Sequence, residues 1–145
     1  MESILKPRPV AHSVYANVPS SRARRRAGAV IAGLAILFLL ADSVGKLIPI
    51  PAAVEATVQL GYAESIVRVI GIIELVCLIL YVVPRTAVLG AILLTGYLGG
   101  AVAAQLRLGS PLLSTTLFPI YIGVLVWGGI MLREDRLRAL LPLRR

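Results

Sequence analysis

Hydrophobic positions along the chain fall into four long blocks rather than a short repeat. They run from about Ala27 to Ile48, about Ile66 to Val83, about Thr86 to Leu106 and about Leu112 to Leu132. Each approaches the ~20 residues a helix needs to cross a ~30 Å hydrocarbon layer. Backbone amides in lipid must bond internally, so the blocks predict helices. None shows the two-residue alternation of a membrane β-barrel. Polar and turn-forming residues punctuate the blocks. Pro49 and Pro51 end the first. Glu55, Gln59, Gly61 and Glu64 mark a segment leading to the second, with room for a short interfacial helix. Pro84-Arg85 makes a tight turn, and Arg107, Gly109, Ser110 and Pro111 separate the third block from the fourth. Connections this short make successive helices antiparallel neighbours. The fold class that follows is all-α, an integral membrane up-down-up-down four-helix bundle. Pro119 lies in the first half of the fourth block and is expected to kink it.

Three segments result: a polar basic arm (1–26), the four-span domain (27–132) and a basic tail (133–145). Composition narrows the class further. The chain is 58 % hydrophobic and 15 % charged, with a mean hydropathy of +0.88, against ~25 % charged in an ordinary soluble domain. This excludes a disordered chain and a water-soluble enzyme of usual composition. The net charge of +8 sits at the chain ends. Twelve of the fifteen basic residues fall in the arm, the Arg85 turn and the tail; Lys46, Arg68 and Arg107 lie on or near the other side. The positive-inside rule then places both termini in the cytoplasm. The expected location is the bacterial inner membrane, multi-pass, with the lipid bilayer as principal partner. The arginine cluster Arg22, Arg24, Arg25 and Arg26 reads as a stop signal beside a span rather than as a nucleic-acid site. A cleaved signal peptide is the alternative for the first block, but the arm is long and the apolar run outlasts a typical ~7–15-residue core. In the tail, Leu137, Leu140 and Leu141 share one helical face. That fits either a helix along the inner surface or an extension of the last span.

Little catalytic chemistry is available. Cys77 is the only cysteine and His12 the only histidine, so internal disulfides, CxxC redox pairs and His-rich metal sites are excluded. No catalytic or metal-ligating residue is assigned. The informative groups are charges inside the spans, each costing roughly 2.5–3.5 kcal/mol at a helix centre. Asp42 and Lys46 are four apart on one helix face, in the order that suits an ion pair. The neighbours of Glu74 on its own helix are apolar, so its partner must come from another helix. At ~1.5 Å per residue, Asp42 lies ~9 Å below the end of its span and Glu74 ~12 Å below the start of its own. Up-down topology brings these groups to the same outer half as Gln105. The expectation is an outward-facing polar site of Asp42, Lys46, Arg68, Glu74, Gln105 and Tyr97, with Tyr62 and Tyr121 as further candidates. The competing reading makes Asp42–Lys46 and Arg68–Glu74 ion pairs that only fix helix register.

Small residues give a second signal. Ala91, Thr95, Gly99 and Ala103 repeat every four positions in the third block, and Gly96 and Gly100 form an adjacent G-x-x-x-G. Such faces let helices approach closely in lipid, so this one is expected to pack within the chain, with a homodimer face as the alternative. Cys77 reads as a small buried apolar residue and Trp127 as an interfacial anchor.

Longer stretches carry a family resemblance. Ser43-Val44-Gly45-Lys46-Leu47, Leu60-Gly61-Tyr62, Ile70-Gly71-Ile72-Ile73-Glu74-Leu75, the run from Tyr81 to Ala101, Trp127-Gly128-Gly129 and Arg136 to Pro142 together resemble the DoxX-like family of small four-helix membrane proteins. One departure is Gln105, where relatives often carry His; glutamine hydrogen-bonds but does not shuttle protons. The resemblance implies a bacterial inner-membrane protein. Some relatives look like subunits of oxidoreductase complexes that pass electrons from sulfur compounds to quinone, and others like assembly or stress-response partners. Three readings follow. The chain is a non-enzymatic accessory or scaffold subunit beside a partner subunit; or it holds quinone for a partner carrying the redox centres; or it is a carrier or binding protein for a small amphipathic molecule. No cofactor is expected on this chain alone, with quinone or lipid left open.

Overall fold

Five α-helices and one π-helical turn build the described part of the chain, with no strand among the described residues. The structure is a computed structural model and describes residues 22–134 and Leu137. The helices are α1 (Arg22–Leu47), α2 (Pro51–Gln59), α3 (Glu64–Val82), α4 (Ala87–Arg107) and α5 (Phe118–Arg133), with the π-helical turn at Leu112–Thr116. Four stretches are long and apolar enough to cross a membrane: Arg22–Leu47, Glu64–Val82, Ala87–Arg107 and Leu112–Arg133. They coincide with the four hydrophobic blocks. Their first member begins earlier than expected, because the arginine cluster from Arg22 to Arg26 is already helical. The rest of the arm, His12 included, and the amphipathic face expected of the tail lie outside the described residues. Leu137 alone of that face is described, half-buried against the core.

Local chemistry explains the connections. Pro51 sits at the start of α2, where a missing N–H costs no helical bond; the expected interfacial segment is thus a helix of nine residues. Pro119 differs from expectation. It lies at the start of α5, not inside a kinked helix. The span breaks ahead of it, where Thr116 N–H donates to Pro111 O and Leu117 N–H to Leu112 O, five residues back. The wider π turn absorbs the irregularity and leaves proline where its ring meets no preceding turn.

α1 packs on α3 and α5, and α4 packs on the same two, so the long helices form a ring in which α1 faces α4 and α3 faces α5. Close approach needs small residues. A Cβ on Gly129 would lie 2.7 Å from Ala32 Cβ, and one on Gly28 would lie 2.6 Å from Leu132 Cβ. The start of α1 therefore meets the end of α5. At the α3–α4 turn a Cβ on Gly90 would collide with the backbone of Tyr81. Leu39, Leu78, Leu94, Val126 and Ile130 fill the interior. Tyr81 crosses it: its hydroxyl, on α3, donates to Val126 O on α5 at 2.9 Å. Outside, Leu37, Ile72, Ile92 and Val124 are exposed, which suits hydrocarbon rather than water.

The small-residue stripe of α4 packs differently from expectation. Ala91 is fully buried, but Thr95, Gly96, Gly99, Gly100 and Ala103 are exposed, and a Cβ on any of the three glycines would meet nothing within 4 Å. Leu94, Leu98 and Tyr97 turn inward instead. In lipid the outer face is as apolar as the core, so hydropathy alone does not say which stripe faces in. Replacing Gly90 by Ala is expected to cost about 1–3 kcal/mol through overpacking, while Gly99→Ala leaves stability unchanged or raised; reversible unfolding in mixed micelles measures both.

Candidate ligand-binding site

Gly71 sets the site's geometry. A Cβ there would lie 2.8 Å from Lys46 Cβ and 3.1 Å from Ser43 O, so α3 can lie directly against α1 at Lys46. Glu74 follows three residues later, on the same side of α3. Lys46 Nζ donates to Asp42 Oδ2 at 2.6 Å, Glu74 Oε2 at 2.9 Å and the Tyr97 hydroxyl at 2.9 Å. Tyr97 OH in turn donates to Glu74 Oε2 at 2.8 Å. Three helices thus meet in one cluster, at one level of the molecule. The expectation that Glu74 needs a partner from another helix is met twice, by α1 and α4.

All three ammonium hydrogens and the phenol hydrogen are used within the cluster. Glu74 is 0 % exposed, and its Oε1 is buried without a hydrogen-bond partner. The Asp42 side chain is 37 % exposed, so the buried ends of the network are the ammonium and Glu74. Removing a partner from such a pair leaves a charge in a low-dielectric interior.

A cavity of about 500 Å³ opens beside the cluster, between the long helices and under α2. Asp42, Lys46, Glu74, Tyr97, Gln105 and Tyr62 line it with polar groups; Leu39, Leu98 and Ile122 are among its apolar walls. The other two candidates lie elsewhere. Arg68 is exposed and forms no ion pair among the described residues, so an Arg68–Glu74 pair does not form. Six residues along a helix turn a side chain by about 120° from its starting face, and Glu74 takes the inward face. Tyr121 is exposed, with its hydroxyl on Leu113 O at 3.3 Å.

Several contacts were not legible as site features. Phe38 and Phe118 meet edge to face, with centroids 5.1 Å apart, on the α1–α5 side of the cavity. Trp127 is half-buried and donates its indole N–H to Thr95 Oγ1 at 2.8 Å, tying α5 to α4 rather than serving as a free anchor. Tyr81 carries the same signal that singles out Glu74, a polar group in an apolar stretch that must find a partner. Cys77 is a buried, small apolar residue, as expected.

Lys46→Met is expected to destabilise the protein by about 3–5 kcal/mol, because Glu74 loses its countercharge. The double variant Lys46→Met/Glu74→Met should recover most of that loss, since a well-packed apolar pair replaces a buried ionic one. Unfolding in mixed micelles provides the comparison.

Comparison with curated proteins finds no match, and comparison with solved structures finds none either. The sequence pattern of the DoxX-like family matches residues 30–129, a stretch that includes all four long helices in whole or in most part, with Asp42, Lys46, Glu74 and Tyr97 inside it. The chain belongs to the DoxX-like family of membrane proteins.

Proposed function

We propose that this protein is a multi-pass component of the bacterial inner membrane that holds a small amphipathic molecule in the Glu74 cavity, as an accessory subunit of a membrane complex. Its architecture on this reading is an up-down-up-down four-helix bundle with cytoplasmic termini. The meeting of the α1 start with the α5 end, the short α3–α4 turn and the basic excess near Arg22–Arg26, Arg85 and Arg133 support that orientation.

One observation carries the binding reading: the unpartnered Oε1 of Glu74, on a residue that lines an otherwise largely apolar cavity. A purely structural ion pair has no use for the spare acceptor, and leaving a buried acceptor unmet costs about 1–3 kcal/mol. A ligand hydroxyl or amine would satisfy it while an apolar body fills the walls of Leu39, Leu98 and Ile122. The same accounting bears on the redox reading. The donors of Lys46 and Tyr97 are already committed, so Glu74 Oε1 suits a quinol hydroxyl, whereas a quinone carbonyl would turn to Gln105 or Tyr62 on the same wall.

Native mass spectrometry of mildly extracted protein is expected to reveal a co-purifying small amphiphile. Glu74→Gln should lower its occupancy about tenfold, the equivalent of ~1.4 kcal/mol, and lower the unfolding midpoint less than Lys46→Met does, because Asp42 still answers the ammonium; loss of stability with occupancy kept would assign Glu74 to the scaffold alone. Orientation has its own test. In intact cells a membrane-impermeant maleimide should label Ser110→Cys at once and Arg85→Cys only after permeabilisation, and the reverse pattern would invert the topology.

A further inference from the structure

We infer that the cavity is loaded sideways from the lipid, through a window between α3 and α4 held open by Gly96 and Gly100. The inference rests on the binding reading above and adds the route, and with it the ligand class: a bilayer-dissolved amphiphile with a hydrogen-bond-donating head.

The cavity is bounded by the α2 end and by the seams of the four-helix ring; at the α1–α3 seam Gly71 brings the helices together beside Lys46, and at the α4–α5 seam Trp127 bonds Thr95. Toward the α2 end, Ala53, Thr57 and Leu60 form a roof. That roof is pinned, because Arg107 Nη2 donates to Leu60 O at 2.8 Å beside Gly61, whose φ of +84° carries the turn. Toward α1 and α5, the Phe38–Phe118 contact spans the seam. The α3–α4 side differs. Ile73, Gly96 and Gly100 line it, all exposed, and the two glycines carry no side chain to meet across the seam as the exposed Phe38 and Phe118 do. No atom lies within 4 Å of where either glycine's Cβ would stand.

Helical phase explains the opening. Gly96 and Gly100 share a face and flank Tyr97, whose hydroxyl reaches Glu74. They stand on the α3 side of α4, whereas Thr95 and Gly99 line a groove with α5. Counting from Arg107 at ~1.5 Å per residue, the window lies ~10–16 Å along α4, inside a ~30 Å hydrocarbon layer rather than at its aqueous edge. A molecule crossing there enters the cavity that Glu74 lines, next to its buried Oε1, the acceptor that lacks a donor. The glycines therefore supply access where the α2 end and the α1–α5 seam are covered.

The test uses the full chain in phosphatidylcholine vesicles, mixed with vesicles carrying a diazirine-labelled long-chain alcohol and flashed after increasing delays. In the unmodified protein, crosslinks should map to Leu39, Leu98 or Ile122. The Gly96→Leu/Gly100→Leu variant should load about tenfold more slowly, the range over which access, rather than affinity, changes a rate. Gly96→Ala/Gly100→Ala should load nearly as fast as the unmodified chain. Should the leucine variant not fold, Gly100→Cys alkylated with N-benzylmaleimide after folding provides the same obstruction. Unchanged loading in the obstructed protein overturns the window while leaving the site intact. No crosslink at those three residues in the unmodified chain overturns the site, and the window with it.

Discussion

A lysine ammonium held among two carboxylates and a phenol, within helices built for lipid, constrains most of what is distinctive in this fold. Coulomb attraction strengthens as the dielectric falls, and so does the cost of leaving any member alone. Lys46 must therefore reach Glu74, and reach it in a geometry where Tyr97 completes the set. Gly71 makes this feasible by removing the side chain that would separate α1 from α3 at that level. The positions of three helices are fixed by one cluster, and the cavity is the space that remains beside it.

The opposite half of the interior is organised chiefly by packing. Gly129 against Ala32 and Gly90 against Tyr81 bring backbones close enough for dispersion to act. The Tyr81 hydroxyl spans to a carbonyl on α5. The molecule thus joins a dense, nearly dry half to a polar, hollow one. Ring order makes the division possible: among the described residues neither diagonal pair packs backbone to backbone, and side chains bridge them instead, Lys46 to Tyr97 between α1 and α4 and Tyr81 to Val126 between α3 and α5.

The four spans were legible because apolar length is a direct physical requirement of the bilayer, and the observed helices begin and end near the hydropathy breaks. The cluster was partly legible. An acidic residue flanked by Gly71, Ile72, Ile73 and Leu75 has no local solution, so Glu74 had to look across to another helix. Choosing Lys46 over Arg68 as its partner required helical phase, and Arg68 falls on a different face from Glu74. The glycine stripe of α4 faces outward, away from the intrachain packing its spacing suggests, for a different reason. Its spacing marks a smooth surface, but lipid and core are both apolar, and only the inward turn of Leu94, Tyr97 and Leu98 decides which way that surface faces. The π-helical break before Pro119 had no hydropathy signal.

Formal charge at the cluster has a consequence for selectivity. Two acidic side chains stand against a single basic one, so the chamber begins one negative charge in excess. Fatty-acid anions and other anionic headgroups would add a second charge, and Lys46, the cation that lines the chamber among the described residues, is already met by two carboxylates. Electrostatics would then turn away anionic lipids and leave the hollow to guests without net charge or with a positive one.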